Sequence, residues 1–222
     1  MTRMTRLYTG FNKNLSVKSR QIRVIRILFL LVRLLLHRIA LKSTLNQMEN
    51  SPPKTVLTGF MGVGKSTVAR HLAYLLKCER LDLDSVIEAT EKRTIADIIN
   101  RDGEARFREI ETKNLRKILQ SDARIIALGG GAWTTEENRK LIKQSNCTTI
   151  WLESSFEHCW QNIKFSRRER PIAKNKRHAR KLFEERRNYY CLADWHFIVR
   201  PELNSYELAK KIAEEVFLLK QN

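Results

Sequence analysis

The stretch TVLTGFMGVGKST, Thr55 to Thr67, constrains this chain more than any other part of it. Gly59-x-x-x-x-Gly64-Lys65-Ser66 fills every fixed position of a phosphate-binding loop. The short apolar run Thr55–Thr58 precedes it. A run with apolar residues at Val68, Ala69, Leu72, Ala73, Leu75 and Leu76, a helical spacing, follows it. Strand, glycine turn and helix in that order aim backbone N–H groups and a helix N-terminus at an anion. Gly59, Gly62, Val63, Gly64, Lys65, Ser66 and Thr67 are therefore the expected nucleotide-binding residues. Lys65 is expected on the β- and γ-phosphates and the Ser66 hydroxyl on Mg2+.

The rest of the chain alternates strand and helix signals. Further strands are predicted at Arg80–Asp84, Arg124–Leu128, Cys147–Leu152 and Trp195–Val199. Helices are predicted over Ser66–Lys77, Ser85–Leu119 with a break at Asn100–Gly103, Ser155–Ile163, Leu182–Leu192 and Ser205–Leu219. Thr134, with Glu137 three residues on, reads as a capping box that opens a helix to Gln144. The fold class is α/β: a three-layer arrangement with a central five-stranded parallel sheet and helices on both faces. Residues 164–181 (165–181 read FSRRERPIAKNKRHARK) are polar, strongly basic and weakly periodic, and are expected to form a mobile lid.

A phosphate loop alone does not separate ATPase, GTPase, small-molecule kinase and motor. A guanine-reading N-K-x-D is absent, and motors are generally longer, so a compact kinase is favoured. Asp82 and Asp84, in Leu-Asp-Leu-Asp, stand at i and i+2. On an extended strand end both would face the carboxyl edge of the sheet, where such folds bind ligands. One carboxylate can then hold Mg2+ through water and the other accept a hydroxyl proton. The competing reading is an acidic pair that caps the next helix at Ser85.

Six blocks in order, GFMGVGKST, LDLD, IADIINRDGEARFREIE, ALGGGA, RPI and ERRNYYCLAD, resemble the shikimate kinase family, P-loop kinases of the nucleoside-monophosphate-kinase type. The likeness runs from Lys54 to the C-terminus. It implies that Asp84 binds the shikimate hydroxyls and is placed as base, with Asp82 on the magnesium side. It implies that Arg108, positioned by Glu111, and Arg186 grip the shikimate carboxylate, and that Gly129, Gly130 and Gly131 let backbone approach the ring. Arg170 would be the lid arginine that reaches the transferring phosphate. The residue types suit these roles, since two guanidiniums can bind a carboxylate bidentately and lysine cannot. Catalysis would rest on Lys65, Asp84 and Arg170.

Three positions depart from the family pattern. Ile172 replaces a leucine after Arg-Pro. Asn188 replaces a proline ahead of the tyrosine, which would loosen that turn. Trp133 replaces a smaller aliphatic residue after the glycines, close to the acceptor pocket. Trp133, Trp151 and Trp160 are otherwise expected to be packing residues.

The net charge of +18 is unevenly spread. Residues 1–48 hold ten Lys or Arg and no acid, and the remaining 174 hold 32 basic and 24 acidic residues. That remaining excess suits an anionic substrate, and aromatics are not interleaved with it in a nucleic-acid-binding pattern. Residues 1–50 form a basic extension outside the folded domain, which is assigned to 54–222. No uncharged run of the extension is longer than the six residues of Ile27–Val32, too short for the roughly 20 residues of a membrane span. The extension reads as an amphipathic surface helix, as a transit peptide over residues 1–47, or as a segment not normally made, with Met48 as the start. Membrane contact is expected through it or not at all. Cys78, Cys147, Cys159 and Cys191 form no CxxC pair, so a reducing compartment is the default.

The activity the resemblance implies is ATP-dependent phosphorylation of shikimate to shikimate 3-phosphate with Mg2+, by a cytoplasmic monomer. Organelle import is the alternative location. The alternative functions are a kinase of another small carboxylated polyol such as gluconate, and a non-catalytic nucleotide-binding module.

Overall fold

The computed structural model describes residues 52–166, 171–173, 175–200 and 202–217. Five strands, β1 (Thr55–Thr58), β2 (Arg80–Asp82), β3 (Ile125–Ala127), β4 (Thr148–Glu153) and β5 (Trp195–Ile198), form one sheet in the order β2-β3-β1-β4-β5. Every pairing is parallel, with Leu57 opposite Ala127 on one side and Ile150 on the other. Seven helices accompany the strands among the described residues, six between them and one after the last: α1 (Lys65–Leu75), α2 (Leu83–Glu91), α3 (Ile95–Leu119), α4 (Glu136–Gln144), α5 (Phe156–Lys164), α6 (Lys176–Tyr190) and α7 (Ser205–Phe217). Short 3-10 turns occupy Ala132–Thr134 and Pro171–Ala173.

The central strands are apolar on both faces because helices cover both. Val56, Leu57, Ile125, Ile126, Ile150 and Leu152 are fully buried. Truncating any of these Leu or Ile residues to Ala would cost about 2–5 kcal/mol. Because β1 pairs with β3 on one side and β4 on the other, the chain leaves β1 at the point where the strand order reverses. That point opens a crevice at the carboxyl edge of the sheet.

Several local expectations shift, each for a physical reason. The second strand stops at Asp82 rather than Asp84. Asp82 Oδ1 accepts from Ser85 N at 3.2 Å, and this N-cap turns Leu83 and Asp84 into the first turn of α2. The predicted break near Gly103 is present as a kink, with φ 86° and ψ 164° at that glycine. The Thr134 capping box does not form. Thr134 Oγ1 donates to Gly131 O at 2.7 Å within the 3-10 turn, and Thr135 caps α4 without a side-chain bond. Helix α6 begins at Lys176, not Leu182, because Asn175 Oδ1 accepts from His178 N at 2.9 Å and Ala179 is buried. The last third of the predicted lid is therefore helical. Asn188 lies inside α6, so it does not loosen a turn there.

Candidate active site

The glycine turn leaves β1 with left-handed backbone at Gly59 (φ 137°), Gly62 (φ 82°) and Gly64 (φ 100°). A Cβ at Gly59 would meet Leu152 O at 2.5 Å, and one at Gly62 would strike the Cys159 carbonyl of α5. Glycine is required at both positions for conformation and for space. Lys65, at the start of α1, is 7% exposed, and its Nζ donates to Gly59 O (2.8 Å) and Phe60 O (3.0 Å). The ammonium thus lies across the mouth of its own loop.

A cavity of about 380 Å3 opens against this loop, lined by Met61, Gly62, Gly64, Lys65, Ser66, Thr67, Asp84, Leu128, Gly130 and Asn162. Five of the seven expected nucleotide residues thus share one wall with Asp84 and Gly130. Gly59 and Val63 do not line it. Gly59 is the exit from β1, and the Val63 side chain is buried beneath the loop (2% exposed).

Two further strand ends border the site. From β2, Asp82 Oδ2 accepts the Ser66 hydroxyl at 2.5 Å, so the strand end and the phosphate loop meet at a pair of hard oxygen ligands. From the end of β3 come the three glycines. A Cβ at Gly129 would lie 2.5 Å from Asp84 Oδ1 and 3.1 Å from Glu111 Oε1. One at Gly131 would lie 2.5 Å from Arg108 Nη1 and 2.9 Å from its Cζ, and one at Gly130 would sit 3.1 Å from Met61 N. The missing side chains are what let Asp84, Arg108 and the phosphate loop close on the same turn.

The two arginines are held from different elements. On α3, Arg108 Nη1 donates to Glu111 Oε2 at 2.9 Å and Nη2 to Glu104 Oε1 at 2.8 Å. Glu111 is 1% exposed. Burial pushes its carboxyl above the usual range against the pull of Arg108, and the nearby Asp84 charge adds to the rise while Arg186 opposes it. On α6, the buried Arg186 donates from Nη1 to Gly130 O at 3.2 Å, and Tyr190, one turn on, donates its hydroxyl to the same oxygen at 2.5 Å. Arg170 lies outside the described residues. Trp133 is packed inside, with Nε1 donating to Tyr189 O at 2.9 Å, and it does not line the cavity.

Three cavity residues, Met61, Leu128 and Asn162, stand outside the residues expected from sequence. Met61 sits within the loop motif and could have been named from it. Asn162, on α5, donates from Nδ2 to Gly62 O at 2.8 Å across 100 residues, and no local pattern marks it.

For Mg2+, the converging Ser66 hydroxyl and Asp82 carboxylate are hard oxygen donors of the kind the ion takes when substrate phosphates complete its shell. The residues present fit that ion. Among the described residues no cluster of three or more His, Cys, Asp or Glu could hold a metal by itself, and no helix is long and apolar enough to cross a membrane. All four cysteines are free.

The family model described as shikimate kinase matches residues 61–217. A shikimate kinase of Persephonella marina is 36% identical over 138 residues, covering 62% of this chain and 84% of that protein. One from Streptococcus thermophilus is 42% identical over 131 residues, covering 58% and 77%. Among solved structures, shikimate kinase from Acinetobacter baumannii in complex with shikimate aligns with a TM-score of 0.71 and 32% identity, covering 78% of this chain and 97% of that one. The Aquifex aeolicus shikimate kinase aligns at 0.63 and 31%, covering 73% and 95%.

Proposed function

The chain belongs to the shikimate kinase family, and on that premise we propose that it converts ATP and shikimate to ADP and shikimate 3-phosphate with the following division of labour. The observation that carries the proposal is the shared cavity, in which the phosphate loop faces Asp84 and Gly130. A phosphoryl donor and a hydroxyl acceptor bound on those walls lie side by side.

The amide groups of Gly62–Thr67 and the N-terminus of α1 hold the ATP phosphates, and Lys65 neutralises the β- and γ-oxygens. Arg108 and Arg186 take the acceptor carboxylate, and Gly129–Gly131 give its ring room against backbone. Asp84 accepts the acceptor hydroxyl proton as the new O–P bond forms in line and the γ-phosphorus to β-bridging oxygen bond breaks. ADP leaves with that electron pair. The protein's contribution is chiefly positioning and charge stabilisation. Arg170 is assigned to the transferring phosphoryl group. Ser66 and Asp82 would hold Mg2+, which supplies countercharge to the phosphates when bound.

The domain is placed at 54–222 with the lid at about 164–181, acting as a cytoplasmic monomer on small molecules and not on nucleic acid. A coupled assay of ADP release with shikimate, with gluconate, with no acceptor, and with EDTA tests the reading. Turnover should require shikimate and a divalent ion. Equal rates with gluconate, or no acceptor dependence, would overturn it.

A further inference from the structure

Gly130 O takes two donors that both come from α6. Arg186 Nη1 lies at 3.2 Å and the Tyr190 hydroxyl at 2.5 Å. The two residues are one helical turn apart, so they reach the same oxygen from one face of the helix. Gly130 itself lines the 380 Å3 cavity, while both side chains are buried behind it, Arg186 at 7% and Tyr190 at 2% exposure. Tyr190 borders a small void with Phe60, Val63 and Trp151, behind the phosphate loop, and its ring lies 6.2 Å from that of Trp151. Burial pushes its phenol well up, against the opposing pull of Arg186, so the hydroxyl keeps its proton and stays a donor at any working pH.

A guanidinium bonded to a backbone carbonyl is not fully available to a ligand. If Arg186 were the sole donor, moving it to an acceptor carboxylate would strip Gly130 O of its partner, and a carbonyl that loses its hydrogen bond away from bulk water is destabilising. The second donor removes that penalty. We infer that Tyr190 is a positioning residue that keeps the Gly130 carbonyl paired, and so frees Arg186 to bind the acceptor carboxylate while holding the glycine turn against the phosphate loop. Tyr190 touches no substrate; it acts through Gly130 and Arg186. The inference rests on the assignment of Arg186 to the acceptor.

Tyr190→Phe removes the hydroxyl and keeps the ring, so α6 and the Trp151 contact should persist. Initial rates are measured for wild type and variant over crossed series of shikimate and ATP, with melting temperatures for both. The expected result is a rise of about five- to tenfold in KM for shikimate, with KM for ATP within twofold and melting within a few degrees of wild type. An unchanged KM for shikimate overturns the inference, and so does a parallel rise in both constants with a large fall in melting temperature, which would mark Tyr190 as merely structural. Lack of shikimate turnover by the wild type would instead refute the assignment on which the inference rests, so the two failures are distinct. Retention of the shikimate defect from pH 7 to 9 accords with a hydroxyl that does not ionise, and its disappearance there counts against the inference.

Discussion

Gly131→Ala is the sharpest single perturbation of the acceptor site. The backbone at Gly131 has φ −106° and ψ −16°, which an alanine adopts without strain. The added methyl meets nothing closer than the Arg108 guanidinium, at 2.5 Å from Nη1 and 2.6 Å from Nη2. Ordinary contact begins near 3.4 Å, so Arg108 must retreat by about 1 Å while the turn stays in place. Retreat breaks the 2.9 Å bond to Glu111, whose carboxyl is already raised by burial and would take up a proton rather than remain charged alone. The cost to the fold is about 1–3 kcal/mol, the scale of one lost charge-assisted bond. For a domain of this size that is a fall of about 3–10 °C in melting temperature. The cost to the reaction is larger in kind. A carboxylate that loses the Arg108 fork loses about 1.5–3 kcal/mol of binding, which corresponds to a rise of about ten- to hundredfold in KM for shikimate. KM for ATP should stay within twofold, because Gly131 does not line the phosphate-loop cavity. Steady-state kinetics with each substrate varied in turn checks this. A shikimate KM within twofold of wild type would show that the position of Arg108 does not govern acceptor binding.

Three further outcomes are expected. Asp84→Asn should leave ATP binding intact and lower kcat by at least about 10²-fold, the contribution of a general base; near-normal turnover would remove Asp84 from that role. Gly129→Ala points its methyl at Asp84 Oδ1 (2.5 Å) and Glu111 Oε1 (3.1 Å) rather than at an arginine, so it should depress kcat by more than it raises KM for shikimate. Equal effects on the two would contradict the separation of base from carboxylate grip. The raised Glu111 carboxyl makes stability depend on pH. Above its ordinary 4.5 the folded chain still holds a proton that the unfolded chain has released, so stability from this group is present in full below 4.5 and is lost as pH rises through the raised value. Melting curves from pH 4 to 8 should therefore show the wild type losing stability relative to Glu111→Gln as pH climbs, and a constant difference would refute the assignment.

The sequence alone determined the class of fold and the identity of the parts. A strand, a glycine loop with Lys65 and Ser66, and a helix are specified by residues in direct succession. The apolar runs that become β1, β3 and β4 carry the mark of strands buried on both faces. FREIE, the glycine triplet and the Arg186-to-Tyr190 spacing could be matched as strings. What the strings could not fix was where a local choice was contested. Asp84 stands in a helix rather than a strand because Asp82 found Ser85 N to cap, and Thr134 turned to Gly131 instead of opening α4. Nor could they reveal contacts between distant segments. The meeting of Arg186 and Tyr190 on Gly130 O spans 56 and 60 residues, and that of Asn162 with Gly62 spans 100. Periodicity records which face of an element is apolar. Which polar atom on one element meets which on another depends on the order of strands in the sheet, and only the assembled sheet, with β1 between β3 and β4, brings those atoms within bonding distance.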